Sequence, residues 1–168
     1  DNMPDKLKTA VDSAVFSDND GKYLEGEFKT VSNKILRVKR GIRETKVYAL
    51  CLYDEWTAQN GLLYSVSGSF TPVAMTFYNP SSANAPYVLK SYETPSDGTM
   101  YSDSIKRIFP VSLWARVLYM SDSASSALHE ESRKIAAEYF GLDENTPEHN
   151  FPFDYNVPET TIAVKEDN

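Results

Sequence analysis

The chain has 168 residues, a net charge of −7 and a single cysteine, Cys51. A length of this order fits one domain, able to bury roughly 70% of the surface its unfolded chain exposes. One cysteine excludes an internal disulfide and a thiolate-built zinc site, and no apolar run reaches the ~20 residues that a membrane-spanning helix needs.

The chain opens at Asp1 with neither an initiator methionine nor a cationic-then-apolar leader, a start compatible with a mature or excised piece of a secreted protein. Leu7, Val11, Ala14 and Val15 recur at helical spacing, which predicts an amphipathic helix over 4–16, capped by Asn2 and with Pro4 in its first turn. Asp18-Asn19-Asp20-Gly21 stops it. Residues 23–31 and 35–40 read as strands around a Ser32-Asn33 turn, with Leu24, Phe28, Leu36 and Val38 facing inward. Across 46–78 two apolar, aromatic-rich runs flank Asn60-Gly61, the signal of a β-hairpin. In its first arm Val47, Ala49, Cys51 and Tyr53 alternate with Tyr48, Leu50 and Leu52; both faces are apolar, which places this strand inside a sheet. In the second arm Leu62, Tyr64, Val66 and Phe70 share one parity, and beyond Thr71-Pro72 the large residues switch to Val73, Met75 and Phe77. A continuous strand would turn its core side outward there, so a bulge or bend is expected at Pro72. After a polar loop over 79–86, residues 87–93 supply the last of about five strands.

Pro95-Ser96-Asp97-Gly98 reads as a turn, and Asp103 caps a short helical turn carrying Ile105, Ile108 and Phe109, ended by Pro110. Leu113, Trp114, Val117 and Leu118 continue at helical spacing. A longer helix spans 123–140, with Leu128, Ile135 and Tyr139 apolar, Glu130 four residues before Lys134, and Gly141 as its stop. The fold class is therefore α+β. One domain over 1–141 carries an antiparallel sheet of about five strands, an N-terminal helix packed on it and two C-terminal helices. Helix-on-sheet folds of the cystatin type are analogous, without implying function. Residues 142–168 hold Pro147, Pro152 and Pro158 and read as an extended tail, docked on the body through Phe151, Phe153 and Tyr155.

Charge is unevenly distributed. Between Lys29 and Lys46 seven bases, among them Arg37, Lys39, Arg40 and Arg43, stand against Glu44 alone, whereas from Ser121 onward eleven acids face three bases. The basic run reads either as a solvated strand face or as a docking patch for an anionic protein partner. Nucleic acid is not expected as a partner, because the chain is acidic overall and no recognised module is visible. Asp18, Asp20, Gly21 and Glu27 match four positions of a calcium loop, but Phe16 occupies the first ligand position, which favours a simple polar turn. His129 and His149 have no ligand spacing and no nucleophile motif beside them, and read as solvated. No metal or other cofactor is called for. Among 11 tyrosines, 8 phenylalanines and 2 tryptophans, Tyr48, Tyr53, Trp56, Tyr64, Tyr78 and Tyr92 are candidates for a binding platform on an open sheet face. Trp56, beside Asp54 and Glu55, is its strongest expected member.

Lys46-Val47-Tyr48-Ala49-Leu50, Asn60-Gly61 with Val66-Ser67-Gly68-Ser69, Pro72-Val73-Ala74-Met75-Thr76-Phe77, Ser91-Tyr92-Glu93 with Asp97-Gly98, and Ser104-Ile105-Lys106 before Phe109-Pro110 form a string of structural phrases. This string, spanning about Asp5 to Phe140, resembles the extracytoplasmic C-terminal domain associated with regulatory membrane metallopeptidases of the β-lactam-sensing antirepressor family in Gram-positive bacteria. The resemblance implies a shared fold and a cell-surface or extracellular location rather than activity. His129-Glu130-Glu131-Ser132-Arg133 lacks the second histidine of a peptidase zinc motif, no lysine has a serine three residues before it, and Lys8-Thr9-Ala10 lacks the glycine of a Lys-Thr-Gly triplet. The expectation is a non-enzymatic, extracytoplasmic binding or sensory module of the cell envelope, touching the membrane only through an anchor or regulator. The alternatives are an inhibitor-like protein-protein module using the basic hairpin, or a hydrolase drawing on Asp54, Glu55 and Glu93.

Overall fold

The computed structural model describes residues 3–119 and 121–152. Helix α1 (Asp5–Asn19) is followed by strands β1 (Phe28–Arg40), β2 (Glu44–Gln59), β3 (Leu62–Tyr78) and β4 (Val88–Glu93), then helices α2 (Tyr101–Ile108), α3 (Val111–Tyr119) and α4 (Ser121–Tyr139), and a short β5 (Glu148–Asn150). The sheet runs β1-β2-β3-β4 with antiparallel neighbours. β5 lies parallel to β3, on the same edge as β4 but at the other end. The fold is thus α+β, with an N-terminal helix, a mostly antiparallel five-stranded sheet and C-terminal helices.

Alternating side chains along β2 serve two cores at once. On one face Val47, Ala49 and Cys51, with Val73, Met75 and Phe77 of β3, pack under Leu7, Val11, Ala14 and Val15 of α1. The opposite face carries Tyr48, Leu50 and Ala74, covered by Ile105, Ile108 and Phe109 with Leu113 and Val117 of α3. Further along that face Trp56 and Leu63 meet Ala136 and Ala137 of α4. The small residues Ala124, Ser132, Ala136 and Ala137 bring α4 close to the sheet, where the Ser32 and Ser132 hydroxyls bond at 2.8 Å.

Double coverage explains why β3 does not break at Pro72. Around the proline Phe70 and Ala74 face the α2–α3 core while Val73, Met75 and Phe77 face the α1 core, so no bend is required, and Leu50 pairs with Pro72 in unbroken register. Proline is tolerated because, among the described residues, the outer edge of β3 has no strand partner between the β5 pairs at 63–65 and the β4 pairs at 74–78. The register shifts instead at Val66, opposite the Glu55–Trp56 step. β1 is one continuous strand rather than two. Ser32 bonds Ser132, and Asn33 Nδ2 donates to Asp12 Oδ1 at 2.8 Å, so both polar residues sit inside the strand instead of turning it. A bulge at Leu36 lets Ile35 and Val38 both join the α1 face and Leu36 the other. Leu24 precedes the strand and is exposed. Asn60 and Gly61 both have positive φ, as a type I′ hairpin turn requires.

Of the expected tail anchors, Phe151 packs edge-on against Tyr64 with centroids 5.8 Å apart, and its N–H donates to Ser65 O at 3.1 Å. Phe153 and Tyr155 lie outside the described residues.

Trp56 has no exposed surface and its indole Nε1–H donates to Thr30 Oγ1 at 2.9 Å. Trp56→Ala should therefore cost about 3–5 kcal/mol of folding stability, read from urea denaturation. Tyr78→Ala, at a half-exposed site, should stay within about 0.5 kcal/mol. Equal, small effects would contradict this placement of the two rings.

Candidate functional site

The expected aromatic platform does not assemble. Tyr53 and Trp56 are fully buried, and because they stand three residues apart on β2 they point into opposite cores. Tyr48 is buried against Phe109 at 5.6 Å, and Tyr92 packs on the α1 core. Tyr64 is half-buried between His149 and Phe151. Of these rings only Tyr78 is exposed, over about half its surface, at the far end of β3. Asp54, Glu55 and Glu93 do not converge either. Asp54 and Glu55 are buried on opposite faces of β2, and Glu93 is exposed at the end of β4.

Asp54 takes part in a cluster that the sequence did not announce. His129 Nδ1 lies 3.0 Å from Asp54 Oδ2, its Nε2 lies 2.7 Å from the Glu148 carboxylate, and its ring stacks on Trp56 with centroids 5.3 Å apart. The hydrogen bond to Asp54, then that to Glu148, raises the His129 pKa from 6.5 to about 10 against the opposing effect of burial. Nearby, Arg133 donates to both carboxylate oxygens of Glu130, at 2.6 and 2.8 Å, and to the carbonyl of Thr146. Glu130 thus pairs three residues on, with Arg133, one residue before the expected Lys134. On the other face of β2, Glu55 Oε1 accepts the Gly26 N–H at 3.0 Å. The strand–linker approach there is so close that a Cβ on Gly26 would stand 2.6 Å from the Trp56 carbonyl.

Both imidazole nitrogens of His129 are engaged, and a proton held to about pH 10 leaves no free lone pair for general-base work. The two carboxylates lie at opposite ends of the ring, so no common point is open to all three groups as metal ligands, and no metal-holding group of three occurs among the described residues. Cys51 is on the other face of the sheet, where burial pushes its thiol up and keeps it protonated. The cluster is a latch: a cationic imidazole clamps the β5 segment, through Glu148, to α4 and β2.

The basic hairpin has the opposite character. Arg37, Lys39, Arg40 and Arg43 are all exposed, and none of them forms an ion pair among the described residues. Glu44, the only acid in the run, is neutralised by Lys90. The turn between β1 and β2 is braced: Gly41 N–H donates to Glu44 O at 2.8 Å, and Asn79 donates from its backbone to Arg43 O and from its side chain to Gly41 O and Ile42 O. Thr45 Oγ1–H holds Asn79 Oδ1 at 2.7 Å. Gly41 is needed here, since a Cβ would stand 2.9 Å from Glu44 O. Beside the tip lies an open depression of about 500 Å³ lined by Lys39, Arg40, Ile42, Arg43 and Lys46.

No family model, curated protein or solved structure matches this chain.

A folded-state pKa above the unfolded value stabilises fully below pH 6.5, and the contribution is lost as pH rises through about 10. With allowance for the partial exposure of the ring, wild type should lose about 1–2 kcal/mol over that interval relative to His129→Gln, measured as urea midpoints at stepped pH. An unchanged difference between the two proteins across the interval would show that the imidazolium does not hold the latch.

Proposed function

We propose that this domain is a non-enzymatic binding module that docks an anionic partner through the β1–β2 hairpin. The observation that carries the reading is the set of exposed cations at Arg37, Lys39, Arg40 and Arg43, unpaired among the described residues, on a turn held rigid by Asn79. Unpaired surface cations gain little for folding, whereas a preorganised cluster raises both the encounter rate and the selectivity for negative surfaces. The acidic remainder of the chain repels such a surface and so orients the hairpin toward it. An extracytoplasmic, cell-envelope setting and a sensory role within it rest on the resemblance carried by the sequence phrases. The non-enzymatic part of the reading rests on the engagement of both His129 nitrogens by carboxylates and on the separate placement of Asp54, Glu55 and Glu93.

Retention on immobilised heparin, used as a generic polyanion, should fall steeply as salt rises, since screening shortens to ~10 Å at 0.1 M ionic strength. Arg40→Gln with Arg43→Gln should elute at clearly lower salt than wild type. Co-elution of the two proteins would contradict the assignment of the docking surface to the hairpin.

A further inference from the structure

At the centre of the basic tip stands an apolar side chain that packs in no core among the described residues. Ile42 is 100% exposed, between Arg40 and Arg43, and belongs to none of the three cores. Across the same end of the sheet Glu44 pairs with Tyr78 and Tyr78 with Val88; both of these partners are about half exposed, and the Lys90 ammonium sits over the Tyr78 ring at 5.5 Å. A fully exposed isoleucine at the turn, an amphipathic tyrosine at the same end of the sheet and a surround of Lys39, Arg40, Arg43 and Lys46 combine apolar insertion with headgroup attraction. The backbone fits the same use. The carbonyls of Gly41, Ile42 and Arg43 already accept hydrogen bonds from Asn79, so the turn can enter a low-dielectric interface without exposing those acceptors unpaired.

Resting on the proposed docking role of the hairpin, we infer that its anionic partner is a bilayer surface bearing anionic phospholipid headgroups, with Ile42 entering the interface and the flanking cations binding lipid phosphates. An acidic protein is the less favoured occupant. The Ile42 side chain is fully exposed, the turn carbonyls are already engaged, and a protein would need a pocket of its own for a single isoleucine. This contact is direct, and so differs from membrane association through an anchor or regulator alone.

The test is co-sedimentation with vesicles of phosphatidylcholine alone and of phosphatidylcholine mixed with phosphatidylglycerol, run beside heparin retention. Wild type should bind the mixed vesicles and not the neutral ones. Ile42→Ser should weaken that binding about tenfold while leaving heparin retention and the thermal midpoint unchanged, because Ile42 packs in no core. Arg40→Gln with Arg43→Gln should weaken it on the order of thirtyfold and reduce heparin retention as well. Hairpin-dependent heparin retention without vesicle binding would overturn the bilayer inference and leave the docking role standing, with an acidic macromolecule as partner. Vesicle binding indifferent to Ile42→Ser would overturn the insertion. Loss of both vesicle binding and heparin retention in wild type would overturn the docking role itself.

Discussion

Coverage of the sheet on both faces is the constraint from which the rest of this structure follows. β2 lies between β1 and β3, and α1 on one side and α2 to α4 on the other leave Val47 through Thr57 buried without interruption. A strand enclosed in this way gains from giving its polar side chains protein partners, and three of them have one, whereas the buried Tyr53 hydroxyl has none among the described residues. Asp54 meets His129, Glu55 takes the Gly26 amide, and Trp56 reaches Thr30. Three residues that look like a wet hairpin tip in the sequence are instead the point where α4, β5 and the α1–β1 linker are all fastened to the sheet.

That fastening divides the molecule into two electrostatic regions. Around His129 and Arg133 the charges are paired, partly buried and used to hold chain to chain. Around the β1–β2 turn four cations are exposed and unpaired among the described residues, on an edge strand with no outer partner among those residues. Lysines and arginines along such an edge also guard it against pairing with a second copy. Paired, partly buried charge thus lies at one end of the sheet, and charge available to a partner at the other.

Much of this was legible in the chain. The α1 spacing, the Asn60-Gly61 turn with φ of 51° and 76°, the interior position of β2 and the basic run all follow from local pattern. What local pattern could not supply were partners distant in the sequence. Ser32 and Asn33 resemble turn residues until Ser132 and Asp12 are beside them, and the parity switch after Pro72 demands a bend only if one face is wet. Trp56 reads as exposed because its neighbours are carboxylates, and His129 as solvated because Glu148 is nineteen residues away in a proline-bearing tail. The candidate docking residues were visible because exposed charge needs no partner to be recognised, whereas Ile42 gains its meaning only from the bracing of the turn by Asn79.

The central claim is that interior polar groups hold the fold while the hairpin apex meets the partner. Backbone amide chemical-shift mapping by nuclear magnetic resonance during titration with a soluble heparin fragment addresses it most directly. The account predicts the largest perturbations at residues 37–46 and at Asn79, with Asp54, Trp56 and His129 unmoved. Perturbations centred on those three residues, with the hairpin silent, would contradict it.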